Sequence, residues 1–408
     1  MHLAALAEQI FIYLSWILAL AWLWQGITAR HGMRGLPVLT PKYAAELPPL
    51  PEWDGPHLTV VVPACNEEAA IESTLRSLLD SSGLRLQIIA VDDRSADRTG
   101  ELMDKVAVDA STRHSPHSLQ IVHVRELPPG WLGKPHAMAT GAQRTLAPWI
   151  LFTDGDVSFD PDALVLALRQ AIAGRADHLV LVPSLILKTT GERAMLSAMQ
   201  ALAQWTIRLW KVPDPRARDF IGVGGFNLVR REIYERLGGF ESLRMEVLDD
   251  LRLGWKIKRA GFAQHIVLGP GLVRIRWING SLAVIHLVEK NGFAVYRFRV
   301  WLHLLACLGL ALQAVLPVAA ILAGGWAFPA GVLAYVGIAM VYSANGRITQ
   351  IRARTAVFFA PAAAVVTYGF LRSMVLALAR RGVDWRGTRY PLRELRRNAG
   401  PFWWSRRA

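Results

Sequence analysis

The stretch that says most about this chain is residues 150–161, which read Ile-Leu-Phe-Thr-Asp-Gly-Asp-Val-Ser-Phe-Asp-Pro. An apolar run that ends in Asp154-Gly155-Asp156 predicts a buried strand that delivers two carboxylates to the C-terminal edge of a sheet, where open α/β sheets bind their ligands. Two such carboxylates can share a hard divalent cation, and Mg²⁺ is commonly held by one or two carboxylates together with substrate phosphates. Because Asp-x-Asp also occurs in solvated turns, the pattern needs support from its surroundings.

Apolar stretches at both ends of the 408-residue chain predict membrane spans. Residues 10–27 carry no charge and approach the length of about 20 residues that a spanning helix needs. Arg30, His31 and Arg34 follow, so we expect a retained anchor with a cytoplasmic basic flank rather than a cleaved signal peptide. Further candidate spans lie towards the C-terminus, at 302–323, 355–379 and the shorter 326–342.

The formal net charge of +14 does not indicate nucleic-acid binding, because many of the arginines lie in the tail that follows the apolar segments. Arginines clustered beside membrane spans set topology and contact anionic lipid. Two cysteines, Cys65 and Cys307, form no disulfide framework and are typical of a reducing compartment. We therefore expect a multi-pass protein of the inner (plasma) membrane whose soluble region is cytoplasmic.

The arginine-rich tail creates a conflict of topology. Three spans after a cytoplasmic domain would place the tail outside, against the positive-inside tendency. Segment 355–379 contains Pro361 and Arg372, while segment 326–342 is short and contains Pro329. The sequence therefore predicts that one of the C-terminal segments does not cross, since an even number of crossings returns the tail to the cytoplasm.

Between the apolar ends, strand and helix patterns alternate, which predicts βαβ units around a mostly parallel sheet. Near-continuous apolar strands such as Ile88-Ile89-Ala90-Val91 agree, because parallel strands are buried on both faces. The expected organisation is an N-terminal transmembrane anchor (1–28), a proline-rich extended linker (29–56), an α/β domain (57–276), an interfacial amphipathic helix (277–301), C-terminal transmembrane segments (302–380) and a basic tail (381–408).

Four polar motifs should meet at one edge of the predicted sheet. They are Pro63-Ala64-Cys65-Asn66-Glu67, Asp92-Asp93-Arg94-Ser95-Ala96-Asp97-Arg98-Thr99, Gly133-Lys134-Pro135-His136-Ala137 and Asp154-Gly155-Asp156. Paired carboxylates at a strand end can accept hydrogen bonds from base and ribose, and a lysine at a turn before a helix can meet a phosphate. Taken singly, each motif is also explained by helix capping or by a solvated charge.

Together and in this order, the four motifs resemble the GT-A fold of family 2 glycosyltransferases. That family shows a Pro-x-x-Asn-Glu loop, an Asp-Asp-x-Ser-x-Asp-x-Thr stretch, a Gly-Lys-x-x-Ala segment and an Asp-x-Asp motif. Its acceptor-side pattern is similar to residues 222–230, and its Glu-Asp-x-x-Leu motif is similar to Asp249-Asp250-Leu251-Arg252-Leu253. The resemblance covers roughly residues 57–295, and it is strongest to membrane-anchored members such as the hopanoid-associated and carotenoid-type enzymes.

The resemblance implies a Rossmann-like α/β domain that moves a sugar from a nucleotide-sugar donor, with inversion, to the hydroxyl of a lipid acceptor. A divalent cation, Mg²⁺ or Mn²⁺, is expected at Asp156, with Asp154 directed towards the ribose or a metal-bound water. The other donor-side residues are expected to be Pro63, Ala64, Glu67, Asp92, Asp93, Lys134 and Gly155.

On the acceptor side, Asp250 is the expected general base, because an acceptor hydroxyl must lose its proton as it attacks the anomeric carbon. The other expected acceptor-side residues are Gly225, Phe226, Asn227 and Asp249. The alternative for Asp249 and Asp250 is N-capping of the helix predicted over 249–260.

Three other functions stay open at this stage. Transfer to a polyprenyl phosphate would need little general base, because that acceptor is already anionic. Processive polysaccharide synthases carry Gln-x-x-Arg-Trp at the membrane interface, and this chain departs from them with Arg274-Ile275-Arg276-Trp277. The third is a membrane scaffold that does not catalyse. The donor sugar, its nucleotide base and the lipid are not indicated by the sequence.

Overall fold

The computed structural model describes residues 2–112 and 115–403 of the chain. Residues 404–408 of the predicted basic tail, including Arg406 and Arg407, lie outside the described residues, as does the first residue of the predicted anchor. The chain forms two compact units. The helical unit comprises Met1–Leu36, Leu187–Trp210 and Ile278–Val383, and the sheet unit comprises Pro37–Ile186, Lys211–Trp277 and Asp384–Ala408.

The described residues form fourteen α-helices and twelve β-strands, together with short 3₁₀ turns. The helices are α1 (His2–Arg34), α2 (Pro41–Glu46), α3 (Ile71–Leu79), α4 (Thr99–Thr112), α5 (Gly133–Ala142), α6 (Ala163–Ala173), α7 (Thr190–Ala203), α8 (Arg231–Arg236), α9 (Asp249–Arg259), α10 (Ala283–Val295), α11 (Val300–Ala323), α12 (Phe328–Thr349), α13 (Phe359–Ala379) and α14 (Leu392–Asn398). The strands are β1 (Leu58–Ala64), β2 (Leu86–Asp93), β3 (Ser118–Val124), β4 (Trp149–Phe152), β5 (Val157–Phe159), β6 (His178–Val182), β7 (Ser184–Leu185), β8 (Asn227–Arg230), β9 (Gln264–Leu268), β10 (Val273–Ile275), β11 (Gly382–Trp385) and β12 (Thr388–Pro391).

The sheet unit is built on a seven-stranded sheet with the order β3-β2-β1-β4-β8-β6-β9. All pairings are parallel except those of β8, which runs antiparallel to both β4 and β6. Every residue of β1, β2 and β4 is buried, as expected for parallel strands covered on both faces. The predicted α/β class with a mostly parallel sheet is confirmed.

The predicted extended linker is wrong in part. The first helix runs on to Arg34, and Thr40 caps α2 by accepting a hydrogen bond from the Tyr43 amide at 3.2 Å. Leu39 donates its amide to the Leu268 carbonyl at 2.7 Å, and the Leu39 side chain is buried in the core of the sheet unit. The prolines suggested an extended segment, but the apolar residues between them dock this segment onto β9.

Four helices of the described residues are long and apolar enough to cross a membrane: His2–Arg34, Val300–Ala323, Gly325–Thr349 and Ala353–Ala379, the last two including a 3₁₀ turn. The segment predicted as the shorter candidate span, 326–342, continues as helix to Thr349. The predicted interfacial helix over 277–301 is shorter than expected. It is α10, and it ends before Arg297 and Phe298, whose φ angles of 54° and 57° break the helix ahead of α11.

Within the helical unit, α1 and α12 run side by side in the same direction. The Trp16 indole donates to the Trp326 carbonyl at 3.1 Å near one end, and Arg347 donates to the Met33 carbonyl at 2.8 Å near the other. Gly26 and Gly337 face each other between these contacts, so closely that a Cβ on Gly26 would lie 2.7 Å from the Gly337 carbonyl oxygen. Small residues that let two helix backbones approach are typical of membrane helix pairs.

Helix α13 packs against the beginning of α11 and against α10. The His303 ring, in the first turn of α11, hydrogen-bonds the Phe370 carbonyl at 2.9 Å, and the Phe293 amide donates to the Ser373 hydroxyl at 2.9 Å. Arg372 forms an ion pair with Glu289 of α10 at 3.0 Å. The middle of α13 therefore lies level with the start of α11.

Candidate functional site

The ends of β1 and β2 form the first part of the site, and their motif residues bind the two loops together. Ser95 accepts a hydrogen bond from the Asn66 amide at 3.0 Å, and Asn66 in turn accepts from the Ala96 amide at 2.8 Å. Thr99 accepts from the Glu67 amide at 2.7 Å. Asn66 has a φ of 56°, a left-handed conformation that asparagine tolerates better than most residues. These contacts explain why the two motifs need these residue types.

The two predicted donor-side aspartates of β2 are buried and have partners. Asp93 forms a two-point ion pair with the Arg94 guanidinium, at 2.8 and 3.1 Å. Asp92 lies 3.1 Å from the His123 ring and accepts from the Ser95 amide at 3.2 Å. Hydrogen bonds from the His123 ring to the Asp92 and Asp104 carboxylates raise the pKa of His123. Pro63 and Ala64 end the neighbouring strand, where Ala64 is paired with Asp92.

Asp154, Gly155 and Asp156 follow β4 at the same edge. The Thr74 hydroxyl of α3 donates to the Gly155 carbonyl at 2.9 Å and so holds this turn in place. A Cβ at Gly155 would meet the Ala64 side chain at 3.3 Å and the Pro63 carbonyl at 3.4 Å, which brings the first and fourth motifs into contact. The first and fourth motifs therefore meet at one edge of the sheet, as the sequence predicts.

Lys134, in the first turn of α5, lies among three carboxylates. Its ammonium is 2.5 Å from Asp154 and 3.8 Å from Asp249. Burial alone lowers the pKa of Lys134, but the charges of Asp154, Asp249 and Asp250 outweigh it and raise the pKa, so the lysine is protonated. The structure thus places the lysine as a bridge between the Asp-x-Asp turn and the start of α9.

Among the described residues, no lysine or arginine pairs with Asp156 as Lys134 pairs with Asp154. Burial, followed by the negative charges of Asp154 and Glu67, raises the pKa of Asp156 to about 7. No group of three or more His, Cys, Asp or Glu side chains within the described ranges is arranged to hold a metal ion on its own. The half-buried carboxylate of Asp156, with that of Asp154 nearby, has the hard oxygen chemistry that Mg²⁺ and Mn²⁺ prefer, and phosphate oxygens would complete the site.

Asp250 lies one residue inside α9, half-buried. Its carboxylate accepts from the Leu251 amide at 2.7 Å, while the N-cap position is Leu248 and no side chain caps this helix. Capping therefore does not account for the Asp249-Asp250 pair, although acids in the first turn do favour the helix dipole. Asp250 lies close enough to Lys134 for its charge to raise the lysine pKa.

The predicted acceptor-side residues Phe226 and Asn227 are completely or almost completely buried, so a contact role is wrong for them. Asn227 hydrogen-bonds the His178 ring, and its amide nitrogen lies 3.4 Å from the Asp250 carbonyl oxygen. Gly225 accepts a hydrogen bond from the Thr153 hydroxyl at 2.9 Å. These residues attach β8 to the Asp-x-Asp strand and to α9, and so position the carboxylates rather than bind an acceptor.

The sequence analysis missed two residues of the C-terminal hairpin (384–391), which belongs to the sheet unit. Arg386 donates to the Cys65 carbonyl at 2.6 Å and forms an ion pair with Glu67. The Tyr390 hydroxyl accepts from the Gly133 amide at 3.1 Å. The hairpin thus contacts two of the four motifs, and the separate basic tail expected at 381–408 is wrong for its described part. In the sequence, the hairpin is indicated only by Arg386-Gly387, since glycine is typical of a tight turn between two strands.

The same tail holds α9 in place. The Arg252 guanidinium lies between the rings of Trp255 and Trp403, 4.4 and 4.5 Å from their centroids. It also pairs with Glu246 at 3.0 Å and donates to the Pro401 carbonyl at 2.7 Å. Cations over aromatic rings are stabilised further when they are buried. The helix that carries Asp250 is therefore packed by residues from the far end of the chain.

Comparison with known proteins agrees with this geometry. The model of the family described as glycosyl transferase family 2 matches residues 59–238. The 4,4'-diaponeurosporenoate glycosyltransferase of Staphylococcus haemolyticus is 30% identical over 118 residues, 28% of each chain. The probable glycosyltransferase YdaM of Bacillus subtilis is 24% identical over 282 residues, 62% of each chain. The chain thus spans about a quarter to three fifths of the length of these curated relatives.

Solved structures with related architecture were also found. The mannosyltransferase PcManGT from Pyrobaculum calidifontis, in complex with GDP-Man and Mn²⁺, is 19% identical with a TM-score of 0.48 and covers 91% of this chain and 98% of its own. TarS from S. aureus is 16% identical with a TM-score of 0.41, covering 58% of this chain and 39% of its own. Residues 59–238, which hold all four motifs, therefore match a family 2 glycosyltransferase domain.

Proposed function

We propose that the sheet unit transfers a sugar from a nucleotide-sugar donor to the hydroxyl of a lipid acceptor, with inversion at the anomeric carbon. The observation that carries the proposal is the position of Asp250, a half-buried carboxylate at the start of α9, next to the cluster of Lys134 and Asp154. The acceptor oxygen bonds to the anomeric carbon, the bond to the diphosphate breaks, and the hydroxyl proton passes to Asp250.

On the donor side, the loops after β1 and β2, which hydrogen bonds join to each other, would hold the nucleoside, with Asp93 and Glu67 facing it. Asp156 would hold a divalent cation, with Asp154 next to it. When bound, this cation offsets the charge that develops on the leaving diphosphate. The protonated Lys134 keeps Asp154 and Asp249 at fixed positions and lowers the repulsion among the carboxylates of the site.

The helical unit supports a membrane location and a lipid acceptor. Its candidate spans expose large apolar side chains along their length, for example Leu305, Leu312 and Val315 of α11. The curated relatives named diaponeurosporenoate glycosyltransferases suggest an apolar acceptor of the carotenoid kind. We propose a multi-pass protein of the inner membrane with its sheet unit in the cytoplasm.

The path of the chain supports a definite topology. The chain leaves the sheet unit after Trp277 and re-enters it at Asp384. A folded domain lies on one side of a bilayer, so the segment between these residues crosses an even number of times. Helices α11 and α12 supply two crossings. We therefore propose that α13 lies at the membrane surface, as the ion pair between Arg372 and Glu289 and its position level with the start of α11 suggest.

Comparing two variants tests the chemistry. Asp250→Asn keeps the size of the side chain, and we expect turnover to fall by about 10²- to 10⁴-fold, the usual contribution of a general base, with donor affinity nearly unchanged. Asp93→Ala should weaken nucleotide binding instead. Calorimetry with nucleotide sugars, run beside single-turnover transfer to extracted lipids, separates the two effects. Near-normal transfer by Asp250→Asn would favour the polyprenyl-phosphate acceptor, and a long homopolymer as product would favour a processive synthase.

A further inference from the structure

A cavity of about 580 Å³ opens in the helical unit, between the start of α7 and the chain that joins α12 to α13. This volume falls within the range of roughly 300–1,000 Å³ typical of small-molecule sites. Three arginines line it, Arg193, Arg352 and Arg354, together with the hydroxyl-bearing Thr190 and Thr355. The transferase chemistry described above uses none of these residues.

The cavity carries positive charge that no carboxylate compensates. Among the described residues that line it there is no aspartate or glutamate. Arg193 donates to the Leu187 carbonyl at 3.1 Å, a neutral acceptor, and Arg352 and Arg354 are exposed and form no ion pair within the described chain. Thr190 is the first residue of α7, but the Glu192 carboxylate caps the start of that helix, so the positive charge of the cavity comes from its arginines. An anion is the ligand that this arrangement favours.

The surroundings of the cavity are apolar. It begins where α12 ends, at Gln350, whose φ of 58° stops the helix, and α12 is a candidate span. Val357 and Phe358 line the cavity and are 67% and 46% exposed. Since Arg347 at the end of α12 donates to the Met33 carbonyl at the end of α1, the cavity lies at the end of the helical unit where α1 and α12 both stop. Arginines beside exposed apolar side chains match a phosphate with acyl chains attached.

We propose that this cavity binds the phosphate headgroup of an anionic phospholipid of the bilayer, with its acyl chains lying against Val357 and Phe358. The proposal rests on the membrane location proposed above and goes beyond transfer itself. Such a lipid would hold the start of α7 against the segment that leads into α13, because residues of both line the cavity. Basic pockets between membrane helices are known to select anionic headgroups in this way.

The test uses the full chain in nanodiscs of phosphatidylcholine with or without phosphatidylglycerol, and native mass spectrometry of the lipids that stay bound after gentle extraction. Replacing Arg352 and Arg354 together by alanine should reduce phosphatidylglycerol retention by about tenfold or more, because each basic residue near a membrane surface contributes strongly to anionic lipid binding. Replacing Arg352 and Arg354 together by lysine keeps both charges and should preserve most of the phosphatidylglycerol retention.

The matched control removes Arg30 and Arg34 together, two exposed arginines at the end of α1 that line no part of the cavity. This control should change retention less than threefold. Equal losses in the two double variants would show general electrostatic attraction and overturn the proposal, as would an unchanged Arg352 and Arg354 variant. Phe358→Ser should weaken lipid retention but leave the binding of inorganic phosphate unaltered. If inorganic phosphate bound the unsubstituted chain as tightly as phosphatidylglycerol does, the ligand would be a soluble anion instead. Sugar transfer in pure phosphatidylcholine, measured in parallel, tests the proposed function separately.

Discussion

Protonation of His178 should couple the stability of the sheet unit to pH. The ring is fully buried, and its two nitrogens bind Asn227 and Gln264. Gln264 accepts from the Ile221 amide at 2.9 Å and donates to the Ile221 carbonyl at 2.9 Å, which fixes the orientation of its amide. The Gln264 nitrogen therefore donates to His178, which must accept through Nδ1 and stay neutral. Burial lowers the pKa of His178 to about 4, although the bond to Asn227 opposes this.

The sign of the pH effect follows from this depressed pKa. The unfolded chain takes up the proton near pH 6.5 and the folded one only near 4, so stability is lost as the pH falls through this window. We expect the free energy of unfolding to drop by about 2 kcal/mol from this group between pH 7 and pH 5. Thermal unfolding of the detergent-solubilised chain at a series of pH values measures it. His178→Gln, which does not titrate, should show a shallower slope, and an identical slope would contradict the assignment.

How far the site can be predicted depends on how local its contacts are. Asn66, Ser95 and Thr99 were found because they belong to short motifs that bind adjacent strand ends. Lys134 was found for its motif, but its ion pair with Asp154 was not expected, because the sequence does not give the direction of a side chain. Phe226 and Asn227 were assigned to acceptor contact, and burial shows that they support the fold.

At the scale of elements, the C-terminal hairpin contacts two of the loops predicted to bind the donor, and none of the four motifs includes it. Arg386 holds the loop at 65–67 through two carbonyls and the Glu67 carboxylate. Its partner Glu67 lies 319 residues earlier in the chain, so no local pattern could have revealed the contact. The docked helix α2 escaped prediction for a related reason, since its burial depends on a distant strand.

The hairpin arginine can be tested against a neighbour. Arg386→Ala frees the loop that is expected to face the nucleotide, so we expect KM for the donor to rise by about tenfold, the order of one lost charge-assisted hydrogen bond, with a smaller change in kcat. Arg389→Ala removes the same charge from the same hairpin and should leave KM nearly unchanged, because Arg389 pairs with Asp384 at 2.7 Å and with no donor-side residue within the described ranges. Steady-state kinetics over a range of donor concentrations distinguishes them. Equal effects of the two variants would mean that the charge, not the contact, matters.

For the whole molecule, the topology of the membrane segments is the main expectation to check. If α13 lies at the membrane surface, the connection between α11 and α12 is on the opposite side of the bilayer from the C-terminal hairpin. In a cysteine-free background, Trp326→Cys, at a position 78% exposed, should react with an impermeant maleimide added to intact cells. Arg389→Cys should react only after the cells are opened. Labelling of both positions in intact cells would show that α13 crosses.

The proposed even number of crossings depends on contacts that the sequence does not give. Positive charge in the tail predicted that one segment does not cross, and the prolines, Arg372 and segment length left both 326–342 and 355–379 open. Helix α12 is long enough, whereas α13 is held by Arg372 to Glu289 of α10. The sequence shows which segments are apolar. The contacts between helices are needed to tell a helix that spans the membrane from one that lies at its surface.

The packing of Trp403 on Arg252 has a consequence for the order in which the protein is made. The helix that carries Asp250 is completed by contacts with Pro401 and Trp403, within the last eight residues of the chain. Domains usually fold as units while synthesis proceeds from the N-terminus. Arg252 and Pro401 are 149 residues apart along the chain, and three of the candidate spans lie between them, so α9 can be completed only after those three helices have been synthesised.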